Sequence, residues 1–394
     1  MNQNINFIPF ARPSFSKEEE EAAANVIKSS WITTGAVTAE FEKKITELAQ
    51  ARYAMGVNSA TSGLHLALEG LGIQRGDSIL TTPYTFTSTA EVIRYMGAHP
   101  VFSDIEEDGF NISPEQIEKT FQTNSGKISA IIPVHVGGNL CEMEKIRPFA
   151  KNNNISIVED CAHLQPEPLL EDNESILVYS FYATKCITTG EGGMIVTNND
   201  KAAKRIKTMR FHGIDREAWD RYRSKTTNSW EYDVVAPGFK YNLPDILSAI
   251  GLVQLDKADE MLQKRRQIAK TYDESFSDCD FIKIPPANEK SSRHLYILRI
   301  VPEKLSITRD EFVNILMDSG IGISVHYKPL HLMSYYKNKY GLKPEDYPNS
   351  LERFQQSFSL PIYPDLTEEE ISVIIRTVKM TGEKFRRFPD ARGI

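Results

Sequence analysis

The chain has little cysteine, no long apolar run and no surplus of positive charge, and each shortage removes a class of function. Its four cysteines, Cys141, Cys161, Cys186 and Cys279, show no Cys-x-x-Cys spacing, so neither a zinc site nor a redox pair is supported, and no metal is expected. They read as small packing residues, the common behaviour of free thiols. No uninterrupted apolar stretch approaches the roughly 20 residues of a membrane span. The start, Met1-Asn2-Gln3-Asn4, lacks the basic and apolar regions of a secretion signal, so a cytoplasmic location is the expectation. Basic residues number 46 against 53 acidic ones, a formal charge of -7, which argues against a nucleic-acid footprint or attachment to anionic membranes. Internal repeats and low-complexity tracts are not evident. What is there is 394 residues, 41% hydrophobic and 25% charged, enough for a large α/β domain plus a smaller one, with a small molecule as partner.

Short apolar runs recur at residues 53–57, 78–81, 100–102, 130–134, 155–158 and 176–179. Bounded by turn residues and separated by longer amphipathic stretches, they read as buried parallel strands of βα units. A doubly wound sheet follows. Such sheets bind ligands beyond the carboxyl ends of their strands, where Asn58, Tyr84, His135, Asp160 and Ser180 all fall. Further on, helical spacing predicts a helix over about 242–272, then a strand over 294–300, a helix over 309–318, a strand over 323–326 and a final helix over 368–379. The expected division is a large α/β domain over residues 1–250, including the N-terminal segment, and a small α+β domain over 251–394.

Asp160 closes an apolar run, where a carboxylate must be paired or must shift its pKa. Lys185 ends Ser180-Phe181-Tyr182-Ala183-Thr184-Lys185, just ahead of the glycine-rich turn Thr188-Thr189-Gly190-Glu191-Gly192-Gly193. A strand-end acid followed by a loop lysine suggests a pyridoxal phosphate site. That cofactor needs an amine to hold its aldehyde as a Schiff base and an acid to keep its ring nitrogen protonated. Taken singly, Asp160 also suits a helix cap and Lys185 a surface turn.

The other needs of the cofactor have candidates too. Ser59-Ala60-Thr61-Ser62-Gly63 precedes a strongly helical run, so hydroxyls and orphan amides gather where a phosphate can bind. Thr61 and Ser62 are the proposed cradle, with plain helix capping by Ser59 or Thr61 as the alternative. In Pro83-Tyr84-Thr85-Phe86-Thr87-Ser88-Thr89, Phe86 is chosen over Tyr84 as the face for the ring. His163 is placed near the ring or its phenolic oxygen, with a structural role as the alternative.

Together these segments resemble the DegT-type family of pyridoxal-phosphate-dependent nucleotide-sugar aminotransferases. The likeness runs through Ile8-Pro9-Phe10-Ala11-Arg12-Pro13, Ser30-Trp31-Ile32-Thr33-Thr34-Gly35, Asn58-Ser59-Ala60-Thr61-Ser62 and Glu159-Asp160-Cys161-Ala162-His163. It continues in the Lys185 segment, Phe211-His212-Gly213, Gly238-Phe239-Lys240-Tyr241-Asn242-Leu243 and Ser324-Val325-His326-Tyr327-Lys328-Pro329-Leu330-His331. The resemblance implies a fold-type I transferase of α/β class, with a mainly parallel seven-stranded sheet flanked by helices and a smaller C-terminal α+β domain. It also implies a homodimer whose sites each draw on both chains.

Carried over by position, the resemblance makes Lys185 the Schiff-base and proton-transfer lysine, Asp160 the pyridinium partner and Phe86 the stacking ring. Thr61, Ser62 and Ser180 would hold the phosphate, joined by Asn242 from the other subunit; His163 would lie near the cofactor oxygen, and Thr33 and His326 would contact substrate. Lysine at 185, where dehydrating members have histidine, points to amination. Trp31-Ile32-Thr33-Thr34-Gly35, Phe211-His212-Gly213-Ile214-Asp215 and Trp219-Asp220-Arg221 are similar to enzymes that aminate C4 of UDP-4-keto sugars, such as UDP-4-amino-4-deoxy-L-arabinose synthases. The implied reaction is a ping-pong transfer from L-glutamate to a nucleotide-linked keto sugar, with C3 amination or a non-catalytic sensing role as alternatives. The chain departs from many relatives over residues 164–173, which lack glycine and are expected to alter the rim of the sugar pocket.

Overall fold

Strands that are buried on both faces need helices on both sides, and the chain supplies them. The computed structural model describes residues 7–124, 127–170, 172–215, 231–286 and 289–387. Its main sheet has seven strands: Tyr53–Val57 (β1), Ser78–Thr81 (β2), His99–Phe102 (β3), Ala130–Ile132 (β4), Ser156–Cys161 (β5), Ile176–Ser180 (β6) and Gly193–Thr197 (β7). Their order is β1-β7-β6-β5-β4-β2-β3. From β6 to β3 every neighbouring pair is parallel, whereas β7 runs antiparallel to both β1 and β6. This is the mainly parallel sheet expected. The apolar run at 130–134 overshoots its strand, because Pro133 has no N–H to give to a ladder.

The helices preceding or following these strands are Lys17–Lys28 (α1), Ala36–Leu48 (α2), Ala60–Leu71 (α3), Ser88–Tyr95 (α4), Pro114–Thr123 (α5), Met143–Asn152 (α6) and Asp200–Met209 (α7). Period-two alternation sorts the strand residues between two layers. Val158, Val178 and Ile195 pack with Leu64, Leu66 and Leu68 of α3, while Leu177, Tyr179 and Met194 pack with Phe41 and Ile45 of α2. Gly63 lets α3 settle on the sheet: a Cβ there would lie 2.6 Å from Val178 Cγ1.

A second, antiparallel sheet joins Ile282–Lys283 (β8), Tyr296–Ile300 (β9) and Ser357–Leu360 (β10) in the order β10-β9-β8. Its core takes apolar residues from the helices Ala258–Phe276, Arg309–Asp318 and Glu368–Lys384. Ile8 enters the same core, its amide donating to the Gly320 carbonyl at 2.8 Å and its carbonyl accepting from Gly322 at 2.7 Å. Two expectations need correction. The single helix over 242–272 is two helices, Asp245–Asp256 and Ala258–Phe276, divided at Lys257. Residues 323–326 are not a strand: only Ser324 pairs, through a bridge to Ser359, and the following side chains are drawn into the cavity described below.

The N-terminus of α2 begins at Gly35, which has no side chain to cap it. Asp245 caps it from a distance. Its Oδ1 accepts from the Gly35 amide at 2.7 Å, the Thr38 amide at 2.9 Å and the Thr38 hydroxyl at 2.7 Å, and Oδ2 accepts from Val37 at 3.2 Å. A buried carboxylate at a helix start gains from both the orphan amides and the helix dipole. Asp245→Ala is therefore expected to lower the unfolding free energy by about 2–4 kcal/mol. Urea denaturation of the cofactor-free protein measures this, and an unchanged midpoint would show that the cap contributes nothing.

Candidate active site

The carboxyl ends of β5 and β6, the start of α3 and the loop before α4 surround a cavity of about 460 Å³. Asp160 lies at its edge near the end of β5, only 5% exposed. Thr89 donates to its Oδ2 at 2.9 Å, and the Ala162 amide donates to Oδ1 at 3.1 Å. With the Thr89 hydrogen engaged in this way, the Thr85 hydroxyl is left to donate to Thr89 at 2.9 Å. Burial pushes the Asp160 carboxyl above its ordinary value, while Thr89, the Ala162 amide and Lys185 pull against that rise.

Lys185 follows β6 in a tight turn, its amide donating to the Tyr182 carbonyl at 2.9 Å. Burial lowers the pKa of its amine to about 8, with Asp160 opposing the fall. Acid and amine face the same cavity.

At the start of α3, Ser59, Ala60 and Thr61 line the cavity, as does Ser180 at the end of β6. Ser62 does not. Its hydroxyl donates to the Ser59 carbonyl at 2.7 Å and accepts from the Ser59 amide at 3.2 Å, and its own amide donates to Ser59 Oγ at 3.1 Å. This reciprocal capping box engages Ser62 in holding the helix start. Gly193 brings β7 against the same helix start, where a Cβ would fall 2.8 Å from the Ala60 nitrogen.

Of the two aromatics considered, Phe86 is 59% exposed and lines the cavity, whereas Tyr84 is wholly buried and donates to the His326 carbonyl at 2.6 Å. His163 and His326 line it too. His163 Nδ1 accepts from the Gly137 amide at 3.0 Å, and burial pushes its pKa well below the usual histidine value. His326 Nδ1 pairs with the Ser359 hydroxyl at 2.8 Å, and burial with nearby Lys185 holds its pKa down at about 4.

Thr33 and Asn242 do not line the cavity of their own chain. Thr33 is exposed. Asn242 donates to the Thr34 hydroxyl at 2.6 Å and accepts from Lys240 Nζ at 2.6 Å. In the segment that lacks glycine, Leu164, Leu169 and Leu170 pack with Leu177 and Tyr179 and do not line the cavity. Glu171 and the motif residues Trp219, Asp220 and Arg221 lie outside the described residues. Sequence reasoning assigned no role to Thr85, Thr89 or Tyr327: the partners of Thr89 and Tyr327, Asp160 and His163, are 71 and 164 positions away, and Thr85 matters only through Thr89.

His135, Glu159 and Cys161 form a buried trio with ligand-type atoms within 4.8 Å of one another. The Cys141 amide donates to His135 Nδ1 at 3.0 Å, so the ring hydrogen is on Nε2 and points to Glu159 Oε2 at 3.2 Å. Arg147 donates to the other Glu159 oxygen at 2.8 Å. The imidazole lone pair therefore points away from the trio, and its contact with Glu159 is a hydrogen bond to a carboxylate whose ionic partner is Arg147.

The profile described as the DegT/DnrJ/EryC1/StrS aminotransferase family matches residues 13–379. The chain belongs to this family. The Bacillus subtilis spore coat polysaccharide biosynthesis protein SpsC is 36% identical over 381 residues, covering 95% of this chain and 97% of its own. Among solved structures, Streptococcus pneumoniae Spr1654, described as a sugar aminotransferase, superposes with a TM-score of 0.86 and 32% identity in its PMP form, over 96% of this chain and 99% of that one. Helicobacter pylori PseC, an aminotransferase involved in the biosynthesis of pseudoaminic acid, gives a TM-score of 0.87 and 30% identity over 96% of this chain and all of its own, 100%.

This member of the DegT family is thus a pyridoxal-phosphate-dependent sugar aminotransferase with the fold-type I architecture. Its cavity fits the cofactor on three counts: a buried acid suited to a cationic ring nitrogen, an amine of lowered proton affinity, and hydroxyls with free amides at a helix start. Thr89→Val keeps the shape and removes the donor to Asp160. It is expected to weaken cofactor binding about tenfold, the effect of losing one hydrogen bond to a charged group. Fluorescence titration of cofactor-free protein measures the change, and an unaltered dissociation constant would count against this support of the acid.

Proposed function

We propose that the enzyme transfers the amino group of L-glutamate to C4 of a UDP-linked 4-keto sugar, with Lys185 as proton carrier and Asp160 as counter-ion to the ring nitrogen. The observation behind this reading is the meeting, in one cavity, of a buried acid and an amine whose pKa is lowered to about 8. When bound, pyridoxal phosphate supplies an aldehyde that takes up amines and a ring that accepts the electrons freed as a C–H bond breaks. Asp160, steadied by Thr89 and the Ala162 amide, keeps a negative charge where the protonated ring nitrogen needs it. Roughly one Lys185 amine in ten is neutral at pH 7, against fewer than one in a thousand for an ordinary lysine. With the cofactor bound, the neutral Lys185 amine would take the proton from the carbon bearing the donor nitrogen, and the resulting ammonium would deliver it to the carbon that had been the cofactor's aldehyde.

Thr61 and Ser180, with the first amides of α3, hold the phosphate in this reading, and Phe86 lies against the ring. Ser62 supports that cradle through the cap. A homodimer supplies what one chain lacks: Asn242 and Thr33 are short of their own cavity, and exposed Ile32, Tyr182 and Val234 offer apolar surface for a second copy. His326 and Thr33 contact the sugar. SpsC acts in spore coat polysaccharide biosynthesis and PseC in the biosynthesis of pseudoaminic acid, which favours a nucleotide-activated sugar as acceptor. The preference for C4 rests on Trp31-Ile32-Thr33 and Phe211-His212-Gly213. No described helix is long and apolar enough to cross a membrane, and the enzyme is assigned to the cytoplasm with its substrates.

Lys185→Ala is expected to abolish transamination while leaving the circular-dichroism spectrum intact; turnover near the parent rate would refute the assignment. Assays with UDP-linked 4-keto and 3-keto sugars, each with L-glutamate, decide the position aminated. Because the lysine must lose its proton to capture an aldehyde, the rate at which cofactor-free protein takes up pyridoxal phosphate should rise with pH through about 8 and level off above it. Stopped-flow absorbance gives that profile, and a rate still climbing past pH 10 would place the amine in an ordinary environment.

A further inference from the structure

The ring of His163 is oriented by a group that can only donate. The Gly137 amide gives its hydrogen to Nδ1 at 3.0 Å, and burial keeps the imidazole neutral. Its single hydrogen is therefore on Nε2, 2.9 Å from the Tyr327 hydroxyl oxygen. That contact runs one way: His163 donates and Tyr327 accepts. The tyrosine's own hydrogen is left over. Burial, with Asp160 and Tyr84 nearby, raises the Tyr327 pKa and so keeps that hydrogen in place. Tyr327 lines the main cavity together with Asp160 and Lys185, so the hydrogen is available to whatever occupies it.

The side of the cavity matters. A smaller cavity of about 50 Å³ adjoins the main one; it shares His163, Thr184, Lys185, His326 and Tyr327 with it, and includes none of the hydroxyls at the start of α3. His163 and Tyr327 thus flank Lys185 away from the phosphate cradle. On the pyridoxal ring, the carbon bearing the aldehyde lies between the one bearing the phenolic oxygen and the one bearing the phosphate arm. With the arm at α3 and the aldehyde at Lys185, the phenolic oxygen belongs on the flank that Tyr327 occupies.

We propose that the Tyr327 hydroxyl donates to the cofactor's phenolic oxygen, and that His163 is a positioning residue which acts on that oxygen only through Tyr327. The inference rests on the cofactor reading above. The titratable groups facing this pair are Asp160, Lys185, Tyr84, His135, His326 and His294, the last with its ring centroid 4.6 Å from that of His163.

The test uses the full-length protein loaded with pyridoxal phosphate and reads the pH midpoint of its visible absorption band. An oxygen deprived of its donor binds more tightly the proton it shares with the lysine nitrogen. Tyr327→Phe should therefore raise the midpoint by about one pH unit, the effect of one hydrogen bond to a charged oxygen. His163→Ala should shift it the same way by less, and the double variant should match Tyr327→Phe. An unchanged midpoint in Tyr327→Phe overturns the proposal, whether or not His163→Ala moves it. Should the phenylalanine variant fail to fold, a ring-fluorinated tyrosine at 327, a stronger donor, must lower the midpoint, and no shift would again overturn the proposal. Parent protein that develops no visible band with pyridoxal phosphate would instead reject the cofactor reading, so the two failures are told apart.

Discussion

A carboxyl group and an amine placed out of water in the same cavity oppose each other's loss of charge, and the site is organised around that opposition. Burial alone pushes the Asp160 acid up and the Lys185 amine down, and each pulls the other back towards its charged form. Neither group would be tolerated deep within a sheet. At and just beyond the carboxyl ends of β5 and β6 they are buried at the edge of the sheet, where strand backbone fixes their positions and the cavity admits a ligand. The donors to Asp160 from Thr89 and the Ala162 amide then decide how much of its charge survives burial.

Much of this frame was legible because it is written locally. An apolar run that ends in Glu159-Asp160 marks both a strand and the place where it meets polar surroundings. The helix over 309–318 is bounded as expected, since Thr308 and Glu311 form a capping box three residues apart. What escaped the sequence depends on partners brought together only by folding. Thr89 and Asp160 are 71 positions apart, and the carboxylate that caps α2 is 210 positions from Gly35. The strand expected over 323–326 failed for a related reason: its apolar and polar alternation serves a cavity wall, with His326 and Tyr327 turned towards Lys185, where a ladder would need continued pairing.

The serines at the start of α3 show a subtler limit. Hydroxyl-rich sequence before a helix is equally good for capping and for binding an anion, and here the two tasks are divided between neighbours. Ser62 closes the cap with Ser59, which leaves the face formed by Ser59, Ala60 and Thr61 turned to the cavity. Only the direction of individual hydrogen bonds makes that division visible. The same attention to direction separates His163 from Tyr327, and shows the His135–Glu159 contact to be a proton donated to a carboxylate.

The contact between Gly193 and the beginning of α3 has a consequence for what the enzyme can accept. Backbone meets backbone there, and any side chain on Gly193 would collide with the Ala60 nitrogen. The turn that carries Lys185 is therefore anchored, through β7 and β6, at a set span from the helix start. The two ends of the cavity act as fixed jaws. A guest whose anionic arm and carbonyl carbon match that gauge engages both ends at once, and a longer or shorter homologue must forgo one of them.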